Sequence, residues 1–293
     1  MLQITLYIPC YNAEAFLDRV IPAVMAQTYE IAEVLIIDDG STDQTAAKAE
    51  SYVSDARYPM RVIRQPENLG LAIARNTAVK ETSTEFIAAL DSDVLPDKNW
   101  LEMLVAEMKD DVSGVGGELL EMYQSTLPDQ WRAIHMVQHR GPRVIRRPPF
   151  IWGCNTLFRK RVIEEAGLYK EYCKTNAEDV KLCEAIRDKH ILIYTPHAKC
   201  KHLRRDTMTS LRKNFWKWYY YGCYEPPKFR KTLTSNIRHI KRIIELSKQD
   251  ISDRNIKNTL VTLSMMPYTI TMDWIDWSQN QKCCKKWEED ITI

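Results

Sequence analysis

Three acidic pairs and one basic cluster in this sequence carry side chains whose types and spacing can do chemistry. Asp91-Ser92-Asp93 puts two carboxylates at one strand end, close enough to share a cation. Oxygen-only ligation by few protein carboxylates suits Mg2+ or Mn2+ bridging to a substrate diphosphate. Asp38-Asp39 offers carboxylates able to accept from the N–H of a base such as uracil and from ribose hydroxyls. Glu178-Asp179 places a carboxylate where it could deprotonate an incoming hydroxyl. His202 lies in Lys199-Cys200-Lys201-His202-Leu203-Arg204-Arg205, among cations that would stabilise the charge of a departing diphosphate. Each group also has a plain structural reading. The Asp91–Asp93 pair can cap a turn before Pro96, and Asp38-Asp39 can cap the helix after it. Glu178 can close a capping box with Thr175, and His202 can be a hydrogen-bonded loop residue.

For these residues to act together, several strand ends must meet at one rim. Ile4–Ile8, Val34–Ile37, Arg61–Arg64 and Phe86–Leu90 read as strands, the second and fourth as continuous apolar runs buried on both faces. Helical stretches lie between them: Phe16, Val20 and Val24 recur at four-residue spacing, and Ser41-Thr42-Asp43-Gln44 reads as a capping box opening a helix from Thr45 to Val53. Trp100 or Leu101, Leu104 and Met108 form a further stripe. This alternation predicts a Rossmann-like α/β architecture, a mainly parallel central sheet flanked by helices. Ligands of such sheets bind beyond the carboxyl ends of the strands. The first strand is followed there by Pro9-Cys10-Tyr11-Asn12, and the second by Asp38 to Asp43. The third is followed by Asn68-Leu69-Gly70 and then Arg75-Asn76, and the fourth by Asp91-Ser92-Asp93. Neither G-x-G-x-x-G nor G-x-x-x-x-G-K-[ST] occurs, which argues against a dinucleotide oxidoreductase and a P-loop enzyme. From about 110 to 205 the pattern loosens. Gly114, Gly116 and Gly117 mark turns, Arg140, Arg143, Arg146 and Arg147 fall in a loop, and a helix from about 177 to 188 precedes a strand at Ile191–Tyr194.

The chain has 293 residues, 45% hydrophobic and 27% charged, which excludes a disordered or collagen-like protein. Its net charge of +2 hides a polarity: residues 1–130 sum to −13 and the remainder to +15, as expected for an anionic partner on the C-terminal side. Eight cysteines without C-x-x-C, and an N-terminus without a secretory pattern, predict reduced thiols and a cytoplasmic location. His135 and His139 have helical spacing but lack the H-E-x-x-H glutamate, so they read as satisfied helix histidines. From about 207 the chain is helical, basic and aromatic. Arg212, Lys213 and Lys217 alternate with Phe215, Trp216, Trp218, Tyr219, Tyr220 and Tyr221. That pattern fits a packed helix and an acceptor platform or peripheral membrane contact equally well.

Together these pieces resemble the family-2 glycosyltransferases of GT-A fold, over Ile4 to about Tyr221. The resemblance rests on six segments in order: Pro9–Asn12; Val34 to Ser41 with Asp43; Asn68-x-Gly70 with Ala74-Arg75-Asn76; Asp91-Ser92-Asp93; Trp152-Gly153-Cys154-Asn155; and Glu178-Asp179. It implies an inverting transferase using Mg2+ or Mn2+ and a nucleotide-diphosphate sugar. Pro9, Tyr11, Asn12, Asp38 and Asp39 would hold base and ribose, with Asn68, Gly70, Arg75 and Ser92 nearby. Asp93 would bind metal, Asp91 would contact ribose or metal-bound water, and His202 would assist at metal or diphosphate. Asp179 would be the base with Glu178 beside it, while Trp152, Gly153, Asn155 and Arg204 would line the sugar and acceptor region. The implied domains are 1–206, with a nucleotide-sugar half to about 110 and a catalytic half after it, and a helical extension 207–293.

The processive synthases of that family carry Q-x-x-R-W on an interfacial helix. The comparable stretch here, Leu211 to Trp216, lacks the Gln, so transfer of a single sugar to a carbohydrate or lipid-linked acceptor is expected, and nucleic acid is not an expected partner. The rival readings are a nucleotidyltransferase and a non-catalytic nucleotide-sugar-binding subunit. The first would call for a Gly-rich basic loop in place of Pro9–Asn12, and the intact Asp91, Asp93 and Asp179 set argues against the second.

Overall fold

A computed structural model describes residues 1–173, 176–219 and 229–291. The chain divides into two compact units, one of Met1–Tyr123 and Val137–Arg204, the other of Gln124–Met136 and the residues from Arg205 onward.

In the first unit, β1 (Ile4–Cys10), α1 (Glu14–Met25), β2 (Glu33–Asp38), α2 (Thr45–Ser51), β3 (Met60–Arg64), α3 (Leu71–Glu81) and β4 (Phe86–Leu90) alternate along the chain. β1 pairs in parallel with β2 and β4, and β2 with β3, which leaves β3 at the edge. Successive side chains of a strand point to opposite faces. Leu6, Ile8, Val34 and Ile36 therefore join one hydrophobic cluster, and Tyr7, Leu35 and Ile37 join another across the sheet. Burial on both sides is why these strands read as unbroken apolar runs.

The sheet becomes mixed beyond β4. β5 (Val94–Pro96), α4 (Trp100–Glu107) and β6 (Val112–Glu121) come first, and α5 (Leu127–His135) belongs to the second unit. β7 (Ile145–Arg146), β8 (Asn155–Arg159), α6 (Lys160–Glu165), α7 (Glu178–Ile186) and β9 (Ile191–His202) complete the first unit. The order β3-β2-β1-β4-β8-β6-β9-β5 places antiparallel β8 between β4 and β6. The parallel half thus carries the ends of β1, β2 and β4, and the mixed half carries β6, β8 and β9. The glycines expected to mark turns lie inside β6. At Gly117 an added Cβ would stand 2.2 Å from the Ala198 carbonyl oxygen, so glycine there permits strand contact rather than chain reversal. The Ser41 capping box does not form. Asp43 accepts from the Thr45 N–H and hydroxyl, and the Ser41 hydroxyl instead accepts from the Asn12 N–H at 2.9 Å. Thr175, of the other expected box, lies outside the described residues.

The second unit comprises α5, α8 (Met208–Tyr219), α9 (Phe229–Ser252) and α10 (Ile256–Ile291). A sequence reading runs the first domain unbroken to 206. Gln124–Met136 belongs instead to the helical unit, because Trp131 and Met136 enter its core with Leu211, Phe215, Ile243 and Met265. The aromatic helix α8 therefore faces inward. Phe215 is buried, and the Trp216 indole donates to Asp273 at 2.8 Å; Tyr220 and Tyr221 lie outside the described residues. His135 ends α5 and bonds to Asp250 at 2.8 Å, whereas His139 lies beyond the helix. No helix among the described residues is long and apolar enough to cross a membrane.

Candidate active site

The ends of β1, β2 and β4 and the N-termini of α3 and α7 carry the predicted polar residues. Asp39 follows β2, and its two carboxylate oxygens accept from the N–H groups of Leu69 and Gly70, both at 2.9 Å. This ties the 66–70 loop to the strand end. Burial pushes the Asp39 carboxyl up despite those donors. Asp38 accepts from the Ser41 N–H at 3.3 Å, and Asn12 accepts from Thr42 at 2.8 Å, so the loops after β1 and β2 brace each other. Between them and α3 lies a cavity of about 190 Å3 lined by Pro9, Cys10, Tyr11, Asp39, Asn68, Gly70, Leu71 and Ala74. Drug-sized pockets span roughly 300–1,000 Å3, so this one suits a single ring system rather than a whole nucleotide. Tyr11 and Asn68 are exposed at its mouth.

Arg75 is the hub of the site. Its side chain is 1% exposed and donates to Asp91 at 2.9 Å, Glu178 at 3.2 Å, the Gly153 carbonyl at 3.0 Å and the Tyr7 hydroxyl at 3.2 Å. Gly153 in turn donates its N–H to Asp179 at 2.8 Å. One guanidinium thus joins the end of β4, the segment before β8 and the start of α7. Asp179 and the Asp91–Asp93 segment therefore share one neighbourhood. Arg75 is a buried organiser and does not itself stand open to a nucleotide. Ala177, directly before the acidic pair, has a left-handed backbone at φ 70, a conformation that L-residues adopt at a cost.

Their surroundings push the acids around the hub in different directions. Burial raises the Glu178 carboxyl to about 7, and Asp179 adds to the rise while Arg75 opposes it. Burial also raises Asp91, against the pull of Arg75. Burial alone would raise Asp93 too, but His202, with Arg204 beyond it, holds it below the usual carboxylate range. His202 sits between Asp93 at 3.0 Å and Glu121 at 3.2 Å, and these acids outweigh burial to lift it to about 9. Both of its ring nitrogens lie within hydrogen-bond distance of these carboxylates, so His202 ties Asp93 to the end of β6. Asp91 and Asp93 keep 27% and 26% of their side chains exposed, and Ser92 between them is half-buried.

Two predicted residues lie elsewhere. Asn155 is buried and fully used: it accepts from the Trp100 indole at 2.6 Å and donates to the Glu118 and Ala198 carbonyls. It holds strands together and does not line an acceptor space. Trp152 is also buried, with the Arg140 guanidinium 4.8 Å from its ring centroid and Phe150 edge-on. Sequence reasoning missed Tyr7 and Glu121. Glu121 closes β6 and was detectable as another acidic strand end, but the glycines before it read as turns and hid the strand.

A model of the family described as "Glycosyl transferase family 2" matches residues 5–167, more than half of the chain. The chain belongs to glycosyltransferase family 2. An uncharacterized glycosyltransferase of Haemophilus influenzae is 24% identical to it over 99% of this chain and 98% of its own. Coverage of other relatives is lower. The chain spans 46% of the pre-mycofactocin glycosyltransferase of Mycobacterium tuberculosis, at 28% identity over 75% of this chain. It spans 44% of the Escherichia coli UDP-Glc:alpha-D-GlcNAc-diphosphoundecaprenol beta-1,3-glucosyltransferase WfgD, at 39% identity over 39% of this chain. Among solved structures, the mannosyltransferase PcManGT of Pyrobaculum calidifontis, in complex with GDP-Man and Mn2+, matches with a TM-score of 0.59 at 16% identity, over 94% of this chain and 86% of its own. The structural likeness shows the GT-A fold for the present chain.

Proposed function

We propose that this family-2 glycosyltransferase is an inverting, metal-dependent enzyme that moves one sugar from a nucleotide-diphosphate sugar, a UDP-sugar by preference, to an acceptor hydroxyl in polysaccharide, glycolipid or glycoconjugate assembly. One observation carries the reading: through Arg75 and Gly153, the Asp179 carboxylate is tied to the same cluster as Asp91. A relative named for UDP-Glc and a diphosphoundecaprenol-linked acceptor supports the donor and acceptor class.

The cavity walled by Pro9, Tyr11, Asp39, Asn68 and Gly70 takes the base. Asp91 and Asp93 fit a hard divalent cation, since each keeps an exposed portion and the set is all oxygen. Among the described residues no cluster of three or more metal-ligating side chains occurs, as suits Mg2+ or Mn2+ completed by substrate phosphates. When bound, the cation supplies charge neutralisation for the leaving diphosphate. Asp179 takes the acceptor proton as the oxygen attacks the anomeric carbon opposite the leaving group. The Gly153 N–H fixes the orientation of that carboxylate, and Arg75 and Glu178 fix the start of the helix bearing it. Arg204, beside Asp93, adds positive charge on the diphosphate side.

General base catalysis typically contributes 10²–10⁴-fold in rate. Asp179→Asn, nearly isosteric, is expected to lower kcat by at least about 10²-fold while leaving the donor-induced rise in Tm in place. Wild-type turnover by this variant would remove Asp179 from the mechanism.

A further inference from the structure

In the second unit, α9 and α10 pack along each other, and their inner faces are occupied. Ile243 and Met265 lie in the core, Asp250 meets His135 and Thr262, and Asp273 meets His239 and Trp216. Their outer side is different. Leu233, Ile237, Ile240 and Ile244 follow at spacings of four, three and four along α9, and Ile251 extends the series. Residues so spaced share one helix face. At the turn into α10, Ile251, Ile256 and Leu260 are 64%, 75% and 64% exposed. A single exposed isoleucine is ordinary, but an exposed apolar strip along α9 followed by exposed Ile256 and Leu260 at the start of α10 marks an interaction surface.

Cations outnumber acids along the strip, where Glu245 and Asp253 are the exposed acids beside it. Lys241 and Lys248 lie one helical turn from Ile237, Ile244 and Ile251, and Arg254 and Lys257 flank Ile256. Residues 229–279 contain eight Lys and Arg against five Asp and Glu, and two of those five acids, Asp250 and Asp273, are buried against histidines. A second copy docking by two-fold symmetry would set these cations against one another, and like charges across an interface are costly. An anionic lipid surface meets the same cations with phosphates and receives the apolar side chains beneath the headgroups.

We propose that the α9–α10 hairpin is a membrane-contact surface whose Ile251, Ile256 and Leu260 tip enters the headgroup layer of an anionic bilayer. This moves the expected contact from the aromatic helix α8, whose rings pack inward, to a segment whose sequence carries no recognisable motif.

The test is co-sedimentation of the full chain with vesicles of phosphatidylcholine alone and of phosphatidylcholine with phosphatidylglycerol. The wild type binds the phosphatidylglycerol vesicles and binds phosphatidylcholine weakly. Lys248→Gln with Lys257→Gln lowers affinity for the anionic vesicles by about fivefold per cation. Ile256→Ser with Leu260→Ser lowers it by roughly tenfold per side chain. Both positions are exposed, so the circular dichroism spectrum, Tm and UDP-sugar-induced thermal shift of that variant stay at wild-type values. Those readouts separate failure of this proposal from failure of the transferase reading. Wild-type protein that stays in the supernatant with anionic vesicles overturns the proposal. So does binding untouched by Ile256→Ser with Leu260→Ser, or a solution dimer that the same variant dissociates, which would assign the strip to a second copy.

Discussion

At the scale of single residues, the site is organised by charges that neutralise one another inside the protein. Arg75 pairs with two acids, Asp91 and Glu178, and a buried guanidinium with several oriented partners is a role lysine cannot fill. Glu178 gives this arrangement a pH signature. Its carboxyl titrates at about 7 in the folded protein, chiefly through burial, against 4.5 ordinarily. Between those values the folded state holds the proton and the unfolded chain releases it, so stability falls as pH rises, and the loss is complete above the folded value. Glu178→Gln removes this dependence. The variant's Tm measured against wild type is therefore expected to rise from pH 4.5 to pH 7 and then level off. A difference that stays flat, or that falls, would place the ionised form in the native state throughout. What the sequence disclosed here was residue type and order. Asn155 shows the limit: it lies in a recognisable segment, yet its three hydrogen bonds go to Trp100, Glu118 and Ala198, partners up to 55 positions away. Spacing along the chain does not encode such distant closure.

At the scale of elements, the parallel half was readable because β1, β2 and β4 bury both faces, with only β3 at the edge half-exposed, and turn-forming polar residues follow the strands. The mixed half was not, because β8 and β6 pair antiparallel across long insertions and β6 owes its contacts to glycines. Gly40 shows how tightly two strand-end loops meet. Its φ is +66, and an added Cβ would lie 2.3 Å from the Glu67 carbonyl carbon and 2.6 Å from the Asn68 nitrogen. Gly40→Ala is expected to cost about 2 kcal/mol or more, because backbone at both contacts must move, and to weaken donor binding by shifting Asn68. Gly141 is the control. Its φ is +80 with nothing within 4 Å, so Gly141→Ala costs only the left-handed penalty of about 1 kcal/mol. Urea unfolding of the two variants checks the ranking, and equal losses would mean that the 66–70 loop yields freely.

At the scale of the whole molecule, the charge polarity poses a problem that the proposed chemistry must solve. The first 130 residues sum to −13, and Asp38, Asp39, Asp91 and Asp93 all lie at or just beyond strand ends there. Arg75 is buried and committed to acids, and His202 is clasped by Asp93 and Glu121. A nucleoside diphosphate approaching this rim is repelled unless an added cation bridges phosphate and carboxylate, and at 4 Å each like-charge pair is worth on the order of 1 kcal/mol even in bulk water. Donor binding should therefore be cation-conditional. In Mn2+, a UDP-sugar at about one hundred times its Kd should stabilise the fold by about 2.7 kcal/mol, read as a rise in Tm that GDP- and dTDP-sugars match less well. In excess chelator the rise should vanish, and added Mn2+ should restore it. An undiminished shift in chelator would mean that protein cations outside the acidic rim hold the diphosphate, and Asp91 and Asp93 would lose the role proposed for them.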